Sequence, residues 1–424
     1  MDAVVFSSRI NGSLLAPRSK SASQRACALS LLNQGITQIW TPGYSRDDQV
    51  AIELVKAMGA AVHVHADRLE INSSGKPIPQ PNLHAGESGL SARMFTPIAA
   101  MSEKPCVLTG EGSLLSRPMH FFNDVLPLLG VRFDSQDGYL PFHIQGPLRT
   151  ANIEIDGSAS SQYLTGLLFA LAASTEEQVI ITVKDLVSRP YIDLSLDIMN
   201  NFGYRIEQEA YRRFVIYPRA RKDRNIDFHV EADWSQAAML LVAAATAGES
   251  VSIQGLDMNS TQADKAILSV LSDAFAQYVI REGEVIVEGG QPLEAFRFDA
   301  THCPDLFPPL VALAAACRGT SYIEGAGRLV HKESNRAESL IDVFSKLGVS
   351  IQQSGNTLAV TGQESVNGVT VSSHHDHRIA MAATIAGLRS EKDVRICHAE
   401  SVGKSYAEFF LDLQSLGAGI QLEE

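Results

Sequence analysis

Six times along this chain a short polar or charged cluster leads straight into an Ala/Leu-rich apolar run. The clusters are Lys20-Ser21, Gly89-Leu90-Ser91, Ser160-Ser161-Gln162, Asp233-Trp234-Ser235, Pro304-Asp305 and Asp376-His377-Arg378. They recur at roughly 70-residue intervals, which signals internal duplication. Each run is hydrophobic on nearly every face and so predicts a buried helix. The clusters therefore sit at six helix N-termini, where unpaired N–H groups and the positive end of a dipole suit an anion. Several of them carry Lys or Arg, which points to a strongly negative ligand.

Each repeat holds a second piece, an amphipathic helix that ends at Gly and leads into an alternating stretch. Gly59, Gly130, Gly203, Gly348 and Gly417 mark these stops, because glycine just past the last turn ends a helix. Val349-Ser350-Ile351-Gln352 and Tyr204-Arg205-Ile206-Glu207 then alternate as half-buried strands do. The fourth copy lacks its glycine around Ala274–Ile280. Each repeat reads as a mixed α/β module, and six modules divide into two groups of three. The chain is predicted to start in one domain, cross to the second for three modules and return near the basic stretch Arg219–Arg224. The leftover strand Ala3-Val4-Val5-Phe6 and the terse last module would then share a domain. The two crossings form a double hinge, which suits closure of a cleft.

Composition narrows the function. The 424 residues are 45% hydrophobic and 20% charged, with no low-complexity tract, so the chain has material for large cores. A net charge of −13 argues against nonspecific nucleic-acid binding. Cys27, Cys106, Cys303, Cys317 and Cys397 are scattered and odd in number, which suggests neither a disulfide framework nor a zinc site. The first residues do not read as a signal peptide, and the apolar runs are too short to span a bilayer. A monomeric, cytoplasmic protein that binds no membrane is expected.

Within the clusters, Ser21 could cap its helix while Lys20 and Arg25 reach an anion; an ordinary serine cap beside two solvated cations fits the same residues. Ser160, Ser161 and Gln162 follow Gly157, and their small side chains would let backbone approach phosphate oxygens. A serine-rich cap is the alternative. Arg117 is either a bidentate anion clamp or a surface arginine. Lys332 and Arg336, four residues apart, would share a helical face with Glu333 beside them, as a substrate and proton site or as a salt-bridged surface helix. Asp305 tops a helix in the same half. In His374-His375-Asp376-His377-Arg378, Asp376 or His377 orients Arg378; adjacent residues do not easily converge on one metal ion.

Taken together, Lys20-Ser21-x-Ser23-x-Arg25, Gly157-Ser158-x-Ser160-Ser161-Gln162, Ser188-Arg189-Pro190-Tyr191-Ile192-Asp193, Pro304-Asp305, Lys332-Glu333-Ser334-x-Arg336, Asp376-His377-Arg378 and Lys404 come in the order of the 5-enolpyruvylshikimate-3-phosphate synthase family, which the whole chain resembles. The resemblance implies the enolpyruvyl transferase fold: an α/β protein of two similar domains, each of three βαβαββ-type units with buried helices and outer sheets. One domain would comprise residues 1–14 and 226–424, the other residues 15–225, with the substrate cleft between them. It implies transfer of the enolpyruvyl group of phosphoenolpyruvate to shikimate 3-phosphate, with no metal and no organic cofactor. Ser21, Arg25, Ser160, Ser161, Gln162, Ser188, Asp305 and Lys332 would hold shikimate 3-phosphate. Lys20, Gly89, Arg117, Gln162, Arg336, Arg378 and Lys404 would hold phosphoenolpyruvate, and Asp305, Glu333 and Lys20 would move protons.

The chain departs from the family where Asn-Ala-Gly-Thr-Ala-Met-Arg is usual: it reads Glu87-Ser88-Gly89-Leu90-Ser91-Ala92-Arg93. Arg18 and Arg328 also replace the usual Gly and Asn. A carboxylate near an anion site weakens anion binding unless a cation neutralises it. Reduced sensitivity to glyphosate, which occupies the phosphoenolpyruvate site in this family, is therefore expected; the alternative has Glu87 pointing to solvent. A sister enzyme acting on a UDP-linked amino sugar is the nearest rival, but the reactive Cys of its Gly110–Arg117 loop is missing here. A non-catalytic anion-binding paralogue is the other rival.

Overall fold

A computed structural model describes residues 1–220, 225–330 and 332–424 of the chain. It divides into two compact units, Arg18–Val230 and a discontinuous one made of Met1–Pro17 with Glu231–Glu424. Each unit holds three four-stranded sheets. All six sheets share one pattern: a parallel pair at one edge, then two antiparallel neighbours. In Ile153–Asp156, Val179–Lys184, Arg213–Ile216 and Ile206–Glu209 the whole pattern comes from one stretch of chain.

Three sheets are completed from a distance. Ile226–His229 runs parallel to Gln34–Trp40 and closes the first sheet of the inserted unit. Ile10–Leu15 pairs with Gly248–Gln254 in the discontinuous unit. The terse last module lacks a strand, and Asp2–Val5 supplies it between Val394–Cys397 and Ile420–Glu423, with Ala3 opposite Ile396 and Val4 opposite Gln421.

The crossings therefore fall at 17/18 and 230/231, later than the 14/15 and 225/226 expected. The return strand Ile226–His229 still belongs to the inserted unit because its hydrogen bonds go there. Arg219 is no linker residue either. It is buried, donates to Asn33 Oδ1 at 2.9 Å and to the Phe202 carbonyl at 2.6 Å, and stacks over Tyr204. Residues 221–224 of that basic stretch lie outside the described residues.

The apolar runs fold into central helices. Gly89–Ala99, Phe307–Ala314 and His377–Gly387 are buried at every residue. Lys20–Leu31, Ser161–Ser174 and Trp234–Ala247 are buried along nearly their whole length. A helix with no wet face is held by packing, and truncating one of its leucines to alanine costs about 2–5 kcal/mol. Their starts are set by side-chain caps at Ser19, Ser88, Ser160, Asp233 and Asp376. Ser19, not the expected Ser21, caps the first: its Oγ accepts from the Ala22 N–H at 3.3 Å. The fifth cluster differs again, since Pro304–Leu306 forms a 3-10 turn ahead of the helix.

The glycine stops behave as their spacing predicts. Gly59, Gly130, Gly203, Gly348 and Gly417 all have φ between +76° and +100°, where a Cβ is strained. The fourth copy keeps the turn without the glycine: Phe275 takes φ +58°, and the closing bond from Ala276 N–H to the Leu271 carbonyl is made at 2.9 Å. No helix among the described residues is long and apolar enough to cross a membrane.

Candidate active site

In the inserted unit the helix starts carry cations. Lys20, the first residue of its helix, places Nζ 2.9 Å from Asp47 Oδ2. Asp47 and Asp48 arrive on the helix Arg46–Ala57 through a capping box, in which Ser45 and Asp48 each bond the other's backbone N–H. Ser45-x-x-Asp48 is the one sequence signal that could have found them. Asp48 is fully buried; burial drives its carboxyl up to about 7, against the pull of the Ser45 hydrogen bonds and of Lys20.

Arg25 has no exposed surface. Its guanidinium donates to Ser195 Oγ at 2.8 Å, to the Ser21 carbonyl at 2.8 Å and to the Tyr191 carbonyl at 3.4 Å. Burial lowers its pKa to about 10. It joins two helices, a use that the spacing of Ser21 and Arg25 did not predict. The start of the Gly89 helix is crowded by two more guanidiniums. A Cβ on Gly89 would lie 2.7 Å from Arg93 Nη1 and 2.9 Å from Arg117 Nη1, so any larger residue there would push these guanidiniums aside. Arg93 Nη1 also donates to Gln162 Oε1 at 3.0 Å and to the Gly89 carbonyl at 3.3 Å. Gly89, Arg93, Arg117 and Gln162 thus form one group.

Glu87 does not point to solvent. It is half-buried against Gly112, and Ser113 Oγ donates to its Oε2 at 3.3 Å while accepting from Arg117 Nη2 at 3.2 Å. Leu90 is buried in the core. Ser160 caps its helix by accepting from the Gln162 N–H at 3.3 Å, and Ser161 is buried on the first turn. Ser188 precedes Arg189–Asn201 in a left-handed conformation, φ +52°.

The discontinuous unit assembles a different group, centred on Arg336. Its buried guanidinium meets Asp305 Oδ1 at 2.8 Å, Asp376 Oδ2 at 3.0 Å and the Glu333 carboxylate. Lys332 Nζ reaches Asp305 Oδ1 at 3.2 Å, Arg378 Nη2 reaches Asp305 Oδ2 at 3.5 Å and Lys404 Nζ stands 3.9 Å from Glu333 Oε1. Lys332 and Arg336 do not share a helical face as expected. The helix starts at Arg336, Lys332 lies in the turn before it, and both converge on Asp305. Asp376 caps the helix that starts at His377, accepting from the Arg378 N–H at 3.0 Å, and so fixes Arg336 and Arg378 together.

Electrostatics follow this packing. Burial pushes the Asp305 carboxyl up, but Arg378, Lys332 and Arg336 together overcome it and hold the group well below the ordinary carboxylate range. Burial lowers the Lys332 ammonium, with Asp305 opposing. Asp264, fully buried and bonded to the Ser235 hydroxyl, is raised to about 6 by burial and by the charge of Asp305. Asp264 carries no sequence signal, because only the fold brings it near Asp305. The arrangement keeps Asp305 ionised among fixed cations, a grouping whose charges suit an anionic ligand.

Known proteins match this chain over its length. A family model described as EPSP synthase (3-phosphoshikimate 1-carboxyvinyltransferase) covers residues 4–413. A 3-phosphoshikimate 1-carboxyvinyltransferase of Methanocorpusculum labreanum is 34% identical and covers all of both chains. One from Clostridium kluyveri is 32% identical over 97% of this chain and 96% of its own. An EPSP synthase structure from Acinetobacter baumannii superposes with a TM-score of 0.83 at 23% identity over the full length of both. The enolpyruvyl transferase NikO of Streptomyces tendae gives 0.79 at 17% identity, over 99% of this chain and 98% of its own; both structures share the fold. On the family match and these identities, the chain belongs to the EPSP synthase (3-phosphoshikimate 1-carboxyvinyltransferase) family.

Proposed function

We propose that the chain transfers the enolpyruvyl group of phosphoenolpyruvate to the 5-hydroxyl of shikimate 3-phosphate, releasing phosphate, on the route to chorismate and aromatic amino acids. The observation that carries the chemistry is the network of Asp305, Glu333, Lys332, Arg336, Arg378 and Lys404. The acceptor hydroxyl gives up its proton and its oxygen bonds C2 of phosphoenolpyruvate, while C3 takes a proton. The tetrahedral intermediate then loses that C3 proton and expels phosphate, restoring the double bond. Only protons and one group move, so no redox partner is called for.

Asp305, held ionised, suits the base for the hydroxyl. Glu333 and Lys20 are assigned the C3 proton. Lys20, Gly89, Arg117, Gln162, Arg336, Arg378 and Lys404 are assigned to phosphoenolpyruvate. Ser21, Arg25, Ser160, Ser161, Gln162, Ser188, Asp305 and Lys332 are assigned to shikimate 3-phosphate. Arg25 enters this set through its own protein bonds, as the residue that holds Ser21 and the Tyr191 segment in place. The protein is taken to act as a monomer in the cytoplasm.

Cysteine chemistry of the sister enzyme's kind has no support. Burial pushes the Cys106 thiol up to about 11 and those of Cys27 and Cys303 further. Phosphate release measured with each acceptor in turn tests the proposal. Turnover is expected with shikimate 3-phosphate alone; release only with a UDP-linked amino sugar, or with neither, would overturn it.

A further inference from the structure

His375, His398 and Glu400 lie outside the network just described, at the surface of the discontinuous unit. One ligand-type atom from each falls within 4.8 Å of the other two. The two imidazole rings have centroids 4.1 Å apart at an interplanar angle of 35°, and His398 Nδ1 is 3.8 Å from Glu400 Oε1. The other carboxylate oxygen of Glu400 is 3.1 Å from the Met1 amine.

The backbone beneath the rings is specified. Both histidines are left-handed, φ +55° and +59°, a region uncommon for residues other than glycine, though Asn, Asp and His enter it more readily than most. One buried hydroxyl ties them together: Ser373 Oγ accepts from the His375 N–H at 3.2 Å and donates to the His398 carbonyl at 2.9 Å. The positions from which the rings project are therefore fixed, while the rings themselves stay exposed. Two imidazoles and a carboxylate are the donor set of borderline divalent metals, and they select against magnesium and calcium, which take oxygen donors.

We infer that His375, His398 and Glu400 bind a divalent transition-metal ion of the zinc class, with water completing its shell. Such an ion clips two segments. His375 immediately precedes Asp376, the cap that holds Arg336 and Arg378; His398 and Glu400 begin the turn Ala399–Lys404 that delivers Lys404. The ion stands apart from the reacting atoms and acts by restraining both segments.

Titration calorimetry of the full chain with zinc chloride, repeated with cobalt(II) for its visible absorption, tests this. One saturable site of micromolar affinity is expected, with cobalt absorption of a tetrahedral nitrogen–oxygen type. His375→Asn and His398→Asn should each weaken binding about tenfold or more, Glu400→Gln should weaken it too, and the urea midpoint of the native chain alone should rise with zinc. Absence of saturable binding to the native chain overturns the inference. So does undiminished binding to a folded His375→Asn, His398→Asn double variant, since the ion would then sit elsewhere. Circular dichroism establishes that each variant is folded before it is scored.

Discussion

Arg25 and Arg336 are both completely buried, yet they keep different company. Arg25, in the inserted unit, rests on a serine hydroxyl and two carbonyls. Arg93 and Arg117 beside it follow the same habit, on an amide oxygen, a carbonyl and a hydroxyl. Arg336, in the discontinuous unit, is gripped by Asp305, Glu333 and Asp376, and Lys332, Arg378 and Lys404 also face carboxylates. Neutral acceptors orient a guanidinium and leave its charge to a ligand. Carboxylates offset the charge, and the cations in turn hold Asp305 ionised. The cations of the two candidate groups are thus held in different ways. Among the candidate site residues of the inserted unit, Lys20 with Asp47 and Glu87 near Arg117 depart from this habit.

The sharpest way to break this contrast is to delete both buried guanidiniums. Arg336→Met removes a buried cation from three carboxylates at once, leaving Asp376 without its guanidinium, and should cost about 3–5 kcal/mol of stability. Arg25→Met strands only neutral acceptors and should cost about 1–3 kcal/mol. Equal urea midpoints for the two variants would end the distinction. Next in size, Lys20→Ala and Arg378→Ala should each lose on the order of 2–4 kcal/mol of transition-state stabilisation with the fold intact. Steady-state phosphate release with circular dichroism checks this, and normal kcat/KM in either variant would remove that residue from the site.

The buried acids give a pH signature. Asp48 and Asp264 have folded pKa values of about 7 and about 6, above their ordinary 3.8. Each therefore adds stability below pH 3.8 that disappears as pH rises through its folded value. Asp48→Asn should abolish the part of the decline that ends near pH 7, leaving the Asp264 part that ends near pH 6. The gain at pH 8 should be on the order of 4 kcal/mol. A denaturation series from pH 4 to 8 in which native and variant chains run parallel would show that Asp48 does not titrate in that window.

Glu87 tests the exception. With its carboxylate linked through Ser113 to Arg117, it should weaken binding of anions there by about 1 kcal/mol. Glu87→Asn with Leu90→Thr should therefore tighten glyphosate inhibition and lower the KM for phosphoenolpyruvate together. An unchanged inhibition constant would mean that Glu87 has no influence on the site. The smallest effect is expected at Phe275, which is 66% exposed and held at positive φ. Phe275→Gly should raise stability by about 0.5–1 kcal/mol; a drop would mean that the ring contributes more than the strain costs.

What was legible in the sequence is what local physics writes there. The apolar runs, the glycine stops and the leftover strand, read at residues 3–6 and formed at Asp2–Val5, follow from periodicity and backbone sterics, so their consequences could be read directly. Phe275 shows the same rule from the other side, since the turn persists where the glycine is missing. The inward partners were not legible. Nothing near Asp264 or Asp48 says that it will be buried, and nothing near Arg25 says that Ser195 will meet it across 170 residues. The Lys332–Arg336 spacing suggested a shared helical face, whereas a turn delivers Lys332. The domain boundary was missed by a few residues because the basic stretch looked like a linker, while the strand after it pairs back with Gln34–Trp40.

The pairing of Asp2–Val5 with the last module also sets a schedule for synthesis. The inserted unit can close once Val230 has emerged, because every strand of its sheets is then present. Ala3 must wait for Ile396, roughly 390 residues later, or about 20–80 s at ordinary translation rates. For that interval the apolar Ala3-Val4-Val5 segment lacks both of its partner strands. A nascent chain therefore carries a unit with all its strands beside one whose edge stays open until Ile420–Glu423 is made.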